Sequence, residues 1–464
     1  MQVLKASVFV GVAAASLALA ACGGGSMAPG AGAPPAPSSG SAAPPPSPVT
    51  PIQHVVLVIQ ENRTFNDFFA TYPGADGTTT GQIEADSACG ISKNETISLT
   101  ESPLATKKDL NHSYPAYRTA RNGGAMNGFD QVPFGNGIPE CTYPYQYTNP
   151  DAIQPYWDMA QSYTLIEHMF TLQGSSSFTA HQDLVAGGTE IAPNEAIVDL
   201  PSCSNCIWGC DAPTGTKTSL ITENDDYEPG AGPFPCFSYK TMAALLDAKS
   251  VSWRYYAPQM CCNIFGKLLS AYDAIDAIRH GPDWTNGDIS TPQTNIFTDI
   301  TNGKLQAVSW LIPTEPDSDH PGDPTDDGPS WVASVVNAIG NSSYWNSTAI
   351  VVVWDDWGGL YDNLNPNQVG YGGLGFRVPA LVISPYAKPG YIAKTYYDFG
   401  SILKFIENNW DLGTLGAGDE NATGIGDCFN FNQAPLKFKT IPSERSQSYF
   451  MHEKPPNLPT DTDM

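Results

Sequence analysis

Positively charged residues are scarce in this chain of 464 residues. It has 22 Lys and Arg against 47 Asp and Glu, which gives a formal net charge of −25. Because proteins bind nucleic acids through clustered Lys and Arg, this balance argues against a nucleic-acid partner. It also disfavours electrostatic attraction to anionic lipid. A phosphate-bearing ligand stays compatible with it, since a bound cation would reverse the local field.

Long apolar runs are also scarce, and beyond the N-terminus none is long enough to span a bilayer. The N-terminal run begins at Ala6, after Lys5, and ends in Leu19-Ala20-Ala21-Cys22. This pattern resembles a bacterial lipoprotein signal that is cut before Cys22, whose thiol would then carry a lipid that inserts into the membrane. An ordinary signal peptide is the alternative. Both interpretations predict an exported protein, and the first places it in the cell envelope.

Composition divides the chain into four segments. Residues 1–21 form the signal peptide, and residues 22–51 carry the lipidated Cys22 and a tether of Gly, Ala, Pro and Ser that cannot form a core. Residues 52–440 are rich in aromatic side chains and form the predicted folded domain. Residues 441–464 read as a polar C-terminal tail.

Nine cysteines follow Cys22, and export makes disulfides the default. An odd number leaves at least one thiol unpaired within the chain. The Cys203-x-x-Cys206 spacing could indicate zinc or redox chemistry. In an exported, Gly/Pro-rich loop a structural disulfide is the favoured interpretation.

Strand-like and helix-like runs alternate along the predicted domain. The predicted strands are 54–60, 162–168, 251–257, 306–312, 348–354 and 378–385, and the predicted helices are 176–187, 240–249, 268–279, 330–340 and 400–410. This alternation predicts an α/β fold with a mostly parallel sheet covered on both faces. The segments 71–150 and 190–236 are rich in Gly, Pro, Asn and Tyr, and we expect them to form a cap over the sheet edge.

Two short runs of oxygen-bearing side chains follow two of these strands. Glu61 and Asn62 come directly after the first strand, and Asp355 and Asp356 come after the fifth. In an open α/β sheet, sites gather where such strands end. The four side chains therefore predict one divalent metal site, with Ca²⁺, Mg²⁺ or Mn²⁺ favoured over Zn²⁺. The alternatives are a surface Asp-Asp turn and a helix that begins at Glu61.

A run of three serines, 175–177, lies at the start of the helix predicted at 176–187. A hydroxyl there lies among free backbone N–H groups and the positive end of the helix dipole, which favour an alkoxide and bind phosphate. One serine must cap the helix, so spacing leaves nucleophile and cap open. His112 and His320 lie in loops, where each could protonate a leaving oxygen or hold a phosphoryl oxygen. Together these residues indicate metal-assisted displacement at phosphorus.

Several motifs resemble those of the bacterial phospholipase C/acid phosphatase family. They are Val58-Ile59-Gln60-Glu61-Asn62-Arg63-Thr64-Phe65, the block from Ser177 to His181, Val308-Ser309-Trp310-Leu311-Ile312-Pro313, Asp319-His320-Pro321, Trp354-Asp355-Asp356-Trp357-Gly358-Gly359-Leu360-Tyr361-Asp362, Arg377-Val378-Pro379-Ala380-Leu381-Val382-Ile383-Ser384-Pro385-Tyr386 and Ser401-Ile402-Leu403-Lys404-Phe405-Ile406-Glu407. The resemblance covers roughly residues 52 to 415, in order. It implies that residues 52–440 form a phosphoesterase domain.

The resemblance implies an alkaline-phosphatase-like, three-layer α/β/α sandwich and roles for individual residues. The metal ligands would be Glu61, Asn62, Asp355 and Asp356, the catalytic nucleophile would be Ser177, and His112 and His320 would contact phosphate or act as acid and base. Three consecutive serines leave Ser176 as the alternative nucleophile. The chain departs from the family pattern at Asn66, Thr179 and Asn363, which places substrate range in question more than activity.

The predicted function is therefore an exported, metal-dependent hydrolase of phosphoric esters. Its substrate is either a phospholipid, which would give diacylglycerol and a phosphorylated head group, or a small soluble phosphomonoester. The alternative is not an enzyme but a surface binding protein that keeps the fold and has lost catalysis. Such a protein would lack a metal ligand or the hydroxyl, and the sequence retains all of them.

Overall fold

The computed structural model describes residues 46–454, apart from 107, 134–140, 203–207, 259–270, 323 and 369–371. The predicted signal peptide, Cys22 and most of the tether lie outside the described residues, as do Cys203 and Cys206. Within them, no helix combines the length and the apolar character that a bilayer span requires.

The described residues contain seventeen strands and twelve α-helices. The strands are β1 (His54–Gln60), β2 (Thr80–Ile83), β3 (Glu95–Ser98), β4 (Thr100–Ser102), β5 (Gln146–Thr148), β6 (Thr164–Phe170), β7 (Glu190–Ala192), β8 (Glu195–Val198), β9 (Ser219–Thr222), β10 (Tyr227–Glu228), β11 (Trp253–Tyr256), β12 (Ile289–Ser290), β13 (Val308–Leu311), β14 (Thr348–Trp354), β15 (Arg377–Ile383), β16 (Tyr391–Ala393) and β17 (Tyr397–Asp398). The helices are α1 (Phe65–Phe69), α2 (Tyr114–Arg121), α3 (Gln154–Ser162), α4 (Ser177–Ala186), α5 (Met242–Ala248), α6 (Asp276–Arg279), α7 (Pro282–Asn286), α8 (Asn295–Thr301), α9 (Gly328–Gly340), α10 (Phe399–Trp410), α11 (Gly418–Asn421) and α12 (Gln447–His452).

Nine strands form the central sheet, in the order β12-β11-β13-β1-β14-β15-β6-β16, with β17 also paired to β6. All of these pairings are parallel except the two that β15 makes with β14 and β6. The apolar strands β1 and β14 lie side by side at the centre and are almost wholly buried. The predicted mostly parallel sheet is therefore confirmed, and β15 is the one strand in it that runs the other way.

Helices cover both faces of this sheet. Trp310 on β13 pairs with Leu57 on β1 and donates its indole N–H to a carbonyl of α4. Trp354 pairs with Gln60 and packs edge-on against Tyr156 of α3. Because Leu57 and Gln60 are three residues apart on one strand, their side chains point to opposite faces. The helices α3 and α4 thus lie on opposite sides, which gives three α/β/α layers.

The segments predicted as a cap contain small sheets of their own. The strands β2 and β3 form one hairpin, β4 and β5 pair in parallel, and β7 to β10 form a four-stranded sheet. Their apolar side chains form a second core with Trp357 and Phe376, which lie between β14 and β15. These excursions therefore pack beside the chain that leaves the carboxyl end of β14.

Two disulfides in the described residues close these excursions, namely Cys89–Cys141 and Cys210–Cys236. The buried Cys428 keeps a free thiol. In the segment predicted as a polar tail, α12 lies against α9, where Phe450 packs edge-on against Trp331 at 5.4 Å. The first part of that segment is therefore part of the folded surface.

Arg377 begins β15 with a fully buried side chain. Its Nε lies 3.2 Å from both carboxylate oxygens of Asp362, and its guanidinium lies over the ring of Phe65. Replacing Arg377 with Leu leaves Asp362 as an uncompensated buried charge. We therefore expect the free energy of unfolding to fall by about 3–5 kcal/mol, as measured by urea unfolding.

Arg118→Leu is the matched control for this variant. The Arg118–Asp225 pair is about half exposed, at 50% and 45%, and its charged groups are 3.8 Å apart, although Arg118 Nη1 also donates to Asp225 O at 2.9 Å. An exposed ion pair of this kind contributes less than about 1 kcal/mol. Equal losses in the two variants would contradict the importance of the buried Arg377 pair.

Candidate active site

The two predicted metal-ligand runs lie side by side at the carboxyl ends of β1 and β14. The backbone N–H of Asp355 continues the ladder and donates to Gln60 O at 2.9 Å. The N–H of Asn62 then donates to Asp355 Oδ1, also at 2.9 Å. Neighbouring parallel strands thus bring together side chains that are nearly three hundred positions apart in the sequence.

Unusual backbone conformations hold this strand end in place. Asn62 has a φ of 59°, in the left-handed region that few residues other than Gly adopt. Gly358, with a φ of 57°, passes so close that a Cβ there would collide with the Asn62 carbonyl. The turn after β14 therefore requires glycine at this position. Strained conformations of this kind are typical of functional sites.

Glu61, His181 and Asp355 form a buried cluster, in which one ligand atom from each lies within 4.8 Å of the others. His181 Nε2 lies 3.1 Å from Glu61 Oε1 and 3.5 Å from Asp355 Oδ2. His181 ends the sequence motif that begins at Ser177, but the sequence alone predicts no metal-binding role for it. Its position four residues after Ser177 on α4 was the available signal, because residues i and i+4 share one face of a helix.

Burial and neighbouring charges shift the pKa values of all three groups. Desolvation, together with the charge of Asp355, raises the pKa of Glu61 to about 7. Although burial opposes it, the two carboxylates raise the pKa of His181 to about 10. Burial also opposes ionisation of Asp355, but its hydrogen bond and charge interaction with His181 lower its pKa. Protonated His181 is therefore the positive partner of the two carboxylates in this arrangement, and a bound cation could take over that role.

Ser177 is the first residue of α4, and its hydroxyl points into the acidic cluster. Its Oγ lies 3.1 Å from Asp356 Oδ2 and 3.3 Å from Asn62 Oδ1. The other oxygen of the Asp356 carboxylate is also fixed, since Gly358 N donates to Oδ1 at 2.9 Å. Ser177, Asn62 and Asp356 are fully buried.

The other two serines of the run have different environments. Ser175 Oγ accepts hydrogen bonds from Asp199 N and Thr179 Oγ1, both at 2.7 Å, so it has a structural role. Ser176 is the N-cap residue, but its side chain makes no capping bond. Its hydroxyl is buried, and no hydrogen-bond partner for it lies in the part of the chain that the structure describes. Of the three, Ser177 is the serine whose hydroxyl contacts the predicted ligands.

His112 and His320 lie on the other side of Asn62. Their Nε2 atoms are each 3.0 Å from Asn62 Nδ2. Their Nδ1 atoms face backbone carbonyls, those of Leu110 at 2.8 Å and Pro321 at 2.6 Å. A carbonyl requires Nδ1–H, so a neutral ring leaves Nε2 as an acceptor for the amide N–H groups.

The nitrogen and oxygen of the Asn62 amide are assigned from this network. With Nδ2 between the two histidines, Oδ1 faces Ser177 and the carboxylates, where it could bind a cation. Turned over, the amide would donate to Asp355 Oδ1 and Glu61 Oε2 at 3.1 Å, and its oxygen would accept from both Nε2 atoms at 3.0 Å. The turned-over amide therefore suits a metal-free site with protonated histidines, and the first orientation suits a bound cation.

The residues present fit a hard divalent cation. Asp355 Oδ2 is a buried oxygen whose contact with His181 Nε2 is long, at 3.5 Å. It faces the same space as Glu61 and His181, and Asn62 Oδ1 and Asp356 Oδ2 lie beside Ser177 Oγ. Carboxylate and amide oxygens suit Mg²⁺, Ca²⁺ or Mn²⁺, while an imidazole nitrogen in the set also admits Mn²⁺ or Zn²⁺.

Known proteins resemble this chain over most of its length. A family model described as "Phosphoesterase family" matches residues 52–413. Phospholipase C B of Mycobacterium tuberculosis is 26% identical over 445 residues, covering 83% of this chain and 79% of its own length. Phospholipase C A of that organism is 25% identical over 408 residues, with 77% and 72% covered. A solved structure described as a protein in the alkaline phosphatase superfamily from Vibrio parahaemolyticus aligns with a TM-score of 0.35 at 11% identity, over 82% of this chain and 74% of that chain.

Proposed function

The chain belongs to the phosphoesterase family and is a hydrolase of phosphoric ester bonds, and from this we propose that it is an exported, metal-dependent enzyme of the phospholipase C type with Ser177 as its nucleophile. One observation carries the proposal. The hydroxyl of Ser177 lies at the start of α4 and within 3.3 Å of both Asn62 and Asp356. A nucleophile, its orienting carboxylate and a buried acidic cluster thus occupy one place.

In this mechanism Asp356 Oδ2 holds the proton of Ser177 and aims its Oγ at phosphorus. The free N–H groups in the first turn of α4 receive the phosphoryl oxygens, helped by the positive end of the helix dipole. As Oγ bonds to phosphorus, its proton passes to Asp356 Oδ2, the bond to the leaving oxygen breaks, and a phosphoserine forms. Water then attacks the phosphorus of this ester and gives one proton to the histidine that protonated the leaving oxygen. Asp356 returns its proton to Oγ, which restores Ser177 and releases the phosphorylated product.

The leaving oxygen needs a proton, which a histidine supplies. His112 Nε2 lies 3.6 Å from Asp356 Oδ2, so this ring is beside the nucleophile. His320 Nδ1 lies 3.5 Å from Glu315 Oε1, a carboxylate that would stabilise the protonated ring. We therefore assign proton donation to His320 and phosphoryl contact to His112.

The residues that would hold the metal are Glu61, Asn62, Asp355 and Asp356, with His181 beside them. When bound, a divalent cation would supply positive charge against the phosphoryl oxygens and the serine oxygen. The protein's own part is to fix these side chains, as the left-handed Asn62 and the Gly358 turn do. Burial excludes bulk water and strengthens each electrostatic contact.

The proposed substrate is a phospholipid, because the relatives are named phospholipases C. We expect the purified protein to release p-nitrophenol from p-nitrophenyl phosphorylcholine, a phosphodiester, at least about tenfold faster than from p-nitrophenyl phosphate. The two esters share a leaving group, so the ratio of their rates measures the preference for a phosphodiester over a phosphomonoester. The reverse preference would assign a small phosphomonoester instead, and no turnover of either would support the binding-protein alternative.

Export and anchoring complete the proposal. The sequence up to Cys22 has the order of a lipoprotein signal, and a Gly/Ala/Pro/Ser tether follows it. A lipid on Cys22 would hold the enzyme beside a membrane, where phospholipid is abundant. Mass spectrometry of the mature N-terminus tests this, since an unmodified residue other than Cys22 at the start would contradict it.

A further inference from the structure

A second group of acidic side chains lies away from Ser177, where the loop that carries His320 meets the C-terminal segment. Asp317, Asp327 and Glu453 each contribute one carboxylate oxygen, and these oxygens all lie within 4.8 Å of one another. Asp317 and Asp327 are buried and Glu453 is half-buried. The three come from the loop after β13, the residue before α9 and the residue after α12.

Among the described residues, Asp317 has a donor for only one of its two carboxylate oxygens. Its side chain is fully buried, and its Oδ2 accepts a hydrogen bond from Thr314 Oγ1 at 2.7 Å, while its Oδ1 accepts none from that part of the chain. Burial raises the pKa of Asp317 well above its usual range, and the charge of Glu453 and a hydrogen bond with that carboxyl group add to this effect. A buried carboxylate among other carboxylates needs a proton or a cation.

The nearby arginine is engaged with a different carboxylate. Arg445 Nε donates to Asp327 Oδ1 at 2.9 Å, and Tyr449 OH donates to Asp327 Oδ2 at 2.9 Å. Asp327 is therefore held by its own donors, whereas the carboxylates of Glu453 and Asp327 both raise the pKa of Asp317. Asp317 thus faces further negative charge.

We propose that Asp317, Asp327 and Glu453 bind a hard divalent cation, Ca²⁺, at a site separate from the catalytic one. The ligand set consists of carboxylate oxygens without His or Cys, which favours Ca²⁺ over transition metals. Three carboxylates from different segments suit the flexible coordination of Ca²⁺ better than the strict octahedron of Mg²⁺. Affinities in the range of about 10⁻⁴–10⁻³ M are typical of extracellular calcium modules.

The site would fasten the C-terminal segment to the loop of His320. On the loop side, Asp317 O accepts from Gln60 Nε2 at 3.0 Å and Ser318 O accepts from Glu61 N at 2.8 Å, so this loop is attached to the end of β1. On the other side, Glu453 directly follows α12, which packs on α9 through Phe450. Bound Ca²⁺ therefore acts as a structural brace.

Calcium titration of the full chain tests the site. We compare wild type with Glu453→Gln and Asp317→Asn, using thermal unfolding and isothermal titration calorimetry. Ca²⁺ at about ten times its Kd should raise the Tm of wild type by about 2 °C or more. Both variants should lose this shift and one calcium site, and hydrogen exchange in 447–452 should respond to Ca²⁺ in wild type only.

Two further variants serve as controls. Glu444→Gln makes the same change at an exposed position in the same segment and should keep the full response. Asp355→Asn alters the catalytic cluster and should also keep it, which separates this site from the first. An equal Tm shift in wild type and Glu453→Gln would overturn the proposal. A Tm that depends on pH but not on Ca²⁺ would also overturn it, since a shared proton would then neutralise Asp317.

Discussion

Ser177→Ala is expected to lower turnover of p-nitrophenyl phosphorylcholine by about 10³-fold or more, as removal of a serine nucleophile does in other hydrolases. The reason is the position of its hydroxyl, 3.1 Å from Asp356 Oδ2 and at the N-terminus of α4. The variant should still fold, because Ala favours a helix and the lost hydroxyl is one small group. Steady-state kinetics measures the turnover, and circular dichroism measures whether the variant is folded.

Ser176→Ala is the matched control, because it removes the same hydroxyl from the adjacent residue. The Ser176 hydroxyl has no hydrogen bond to any described residue, so its loss should cost little stability and leave turnover within a few-fold of wild type. Loss of activity in Ser176→Ala with activity retained in Ser177→Ala would reverse the assignment. Trapping of a phosphorylated peptide during turnover, followed by mass spectrometry, locates the nucleophile independently.

The central strands could be predicted from sequence because their burial is nearly complete. The strands β1 and β14 have the predicted bounds, since an uninterrupted apolar run between polar residues marks a strand covered on both faces. The direction of β15 could not be predicted in the same way. Its run is just as apolar, and parallel and antiparallel buried strands share that composition.

The site was predictable only where the sequence carries a local signal. Glu61, Asn62, Asp355 and Asp356 follow strand ends, and adjacent strands bring such ends together. His181 does not follow a strand end, and its spacing from Ser177 shows only that the two share a helix face, because its approach to Glu61 depends on how α4 packs over β1. The Asn62 network was also hidden from sequence, since it depends on the approach of His112 and His320 from two separate loops.

Removal of divalent metal is expected to lower hydrolysis by about 10²-fold or more, and added metal should restore it. The buried carboxylates of Glu61 and Asp355 favour a positive charge beside them, and the charge of a bound metal would also act on the phosphoryl oxygens. Dialysis against a chelator, followed by assays with single added ions and by metal analysis, measures the dependence. Full activity in metal-free protein would contradict it.

A chelator would also remove Ca²⁺ from the proposed site at Asp317, Asp327 and Glu453. Variants must therefore distinguish loss of the catalytic metal from loss of this Ca²⁺. Asp355→Asn should lower both catalytic-site metal content and turnover, and excess metal should recover only part of the rate. Glu453→Gln lacks the brace ligand but keeps the catalytic cluster, so its turnover should still depend on added metal. If Glu453→Gln were active without metal, the loss of hydrolysis in the chelated wild type would result from loss of Ca²⁺ at the proposed second site.

His181→Asn then identifies the metal class. His181 Nε2 lies 3.1 Å from Glu61 Oε1, so the ring either enters the coordination shell or donates to the carboxylate that does. If it coordinates, Mn²⁺ or Zn²⁺ should restore the wild type best, and the variant should lose about tenfold or more in affinity for that ion. If it only orients Glu61, Ca²⁺ or Mg²⁺ should restore the wild type and the preference among ions should survive the substitution. Unchanged affinity and unchanged turnover in His181→Asn would exclude His181 from both roles and leave the four residues of the two strand ends as the whole ligand set.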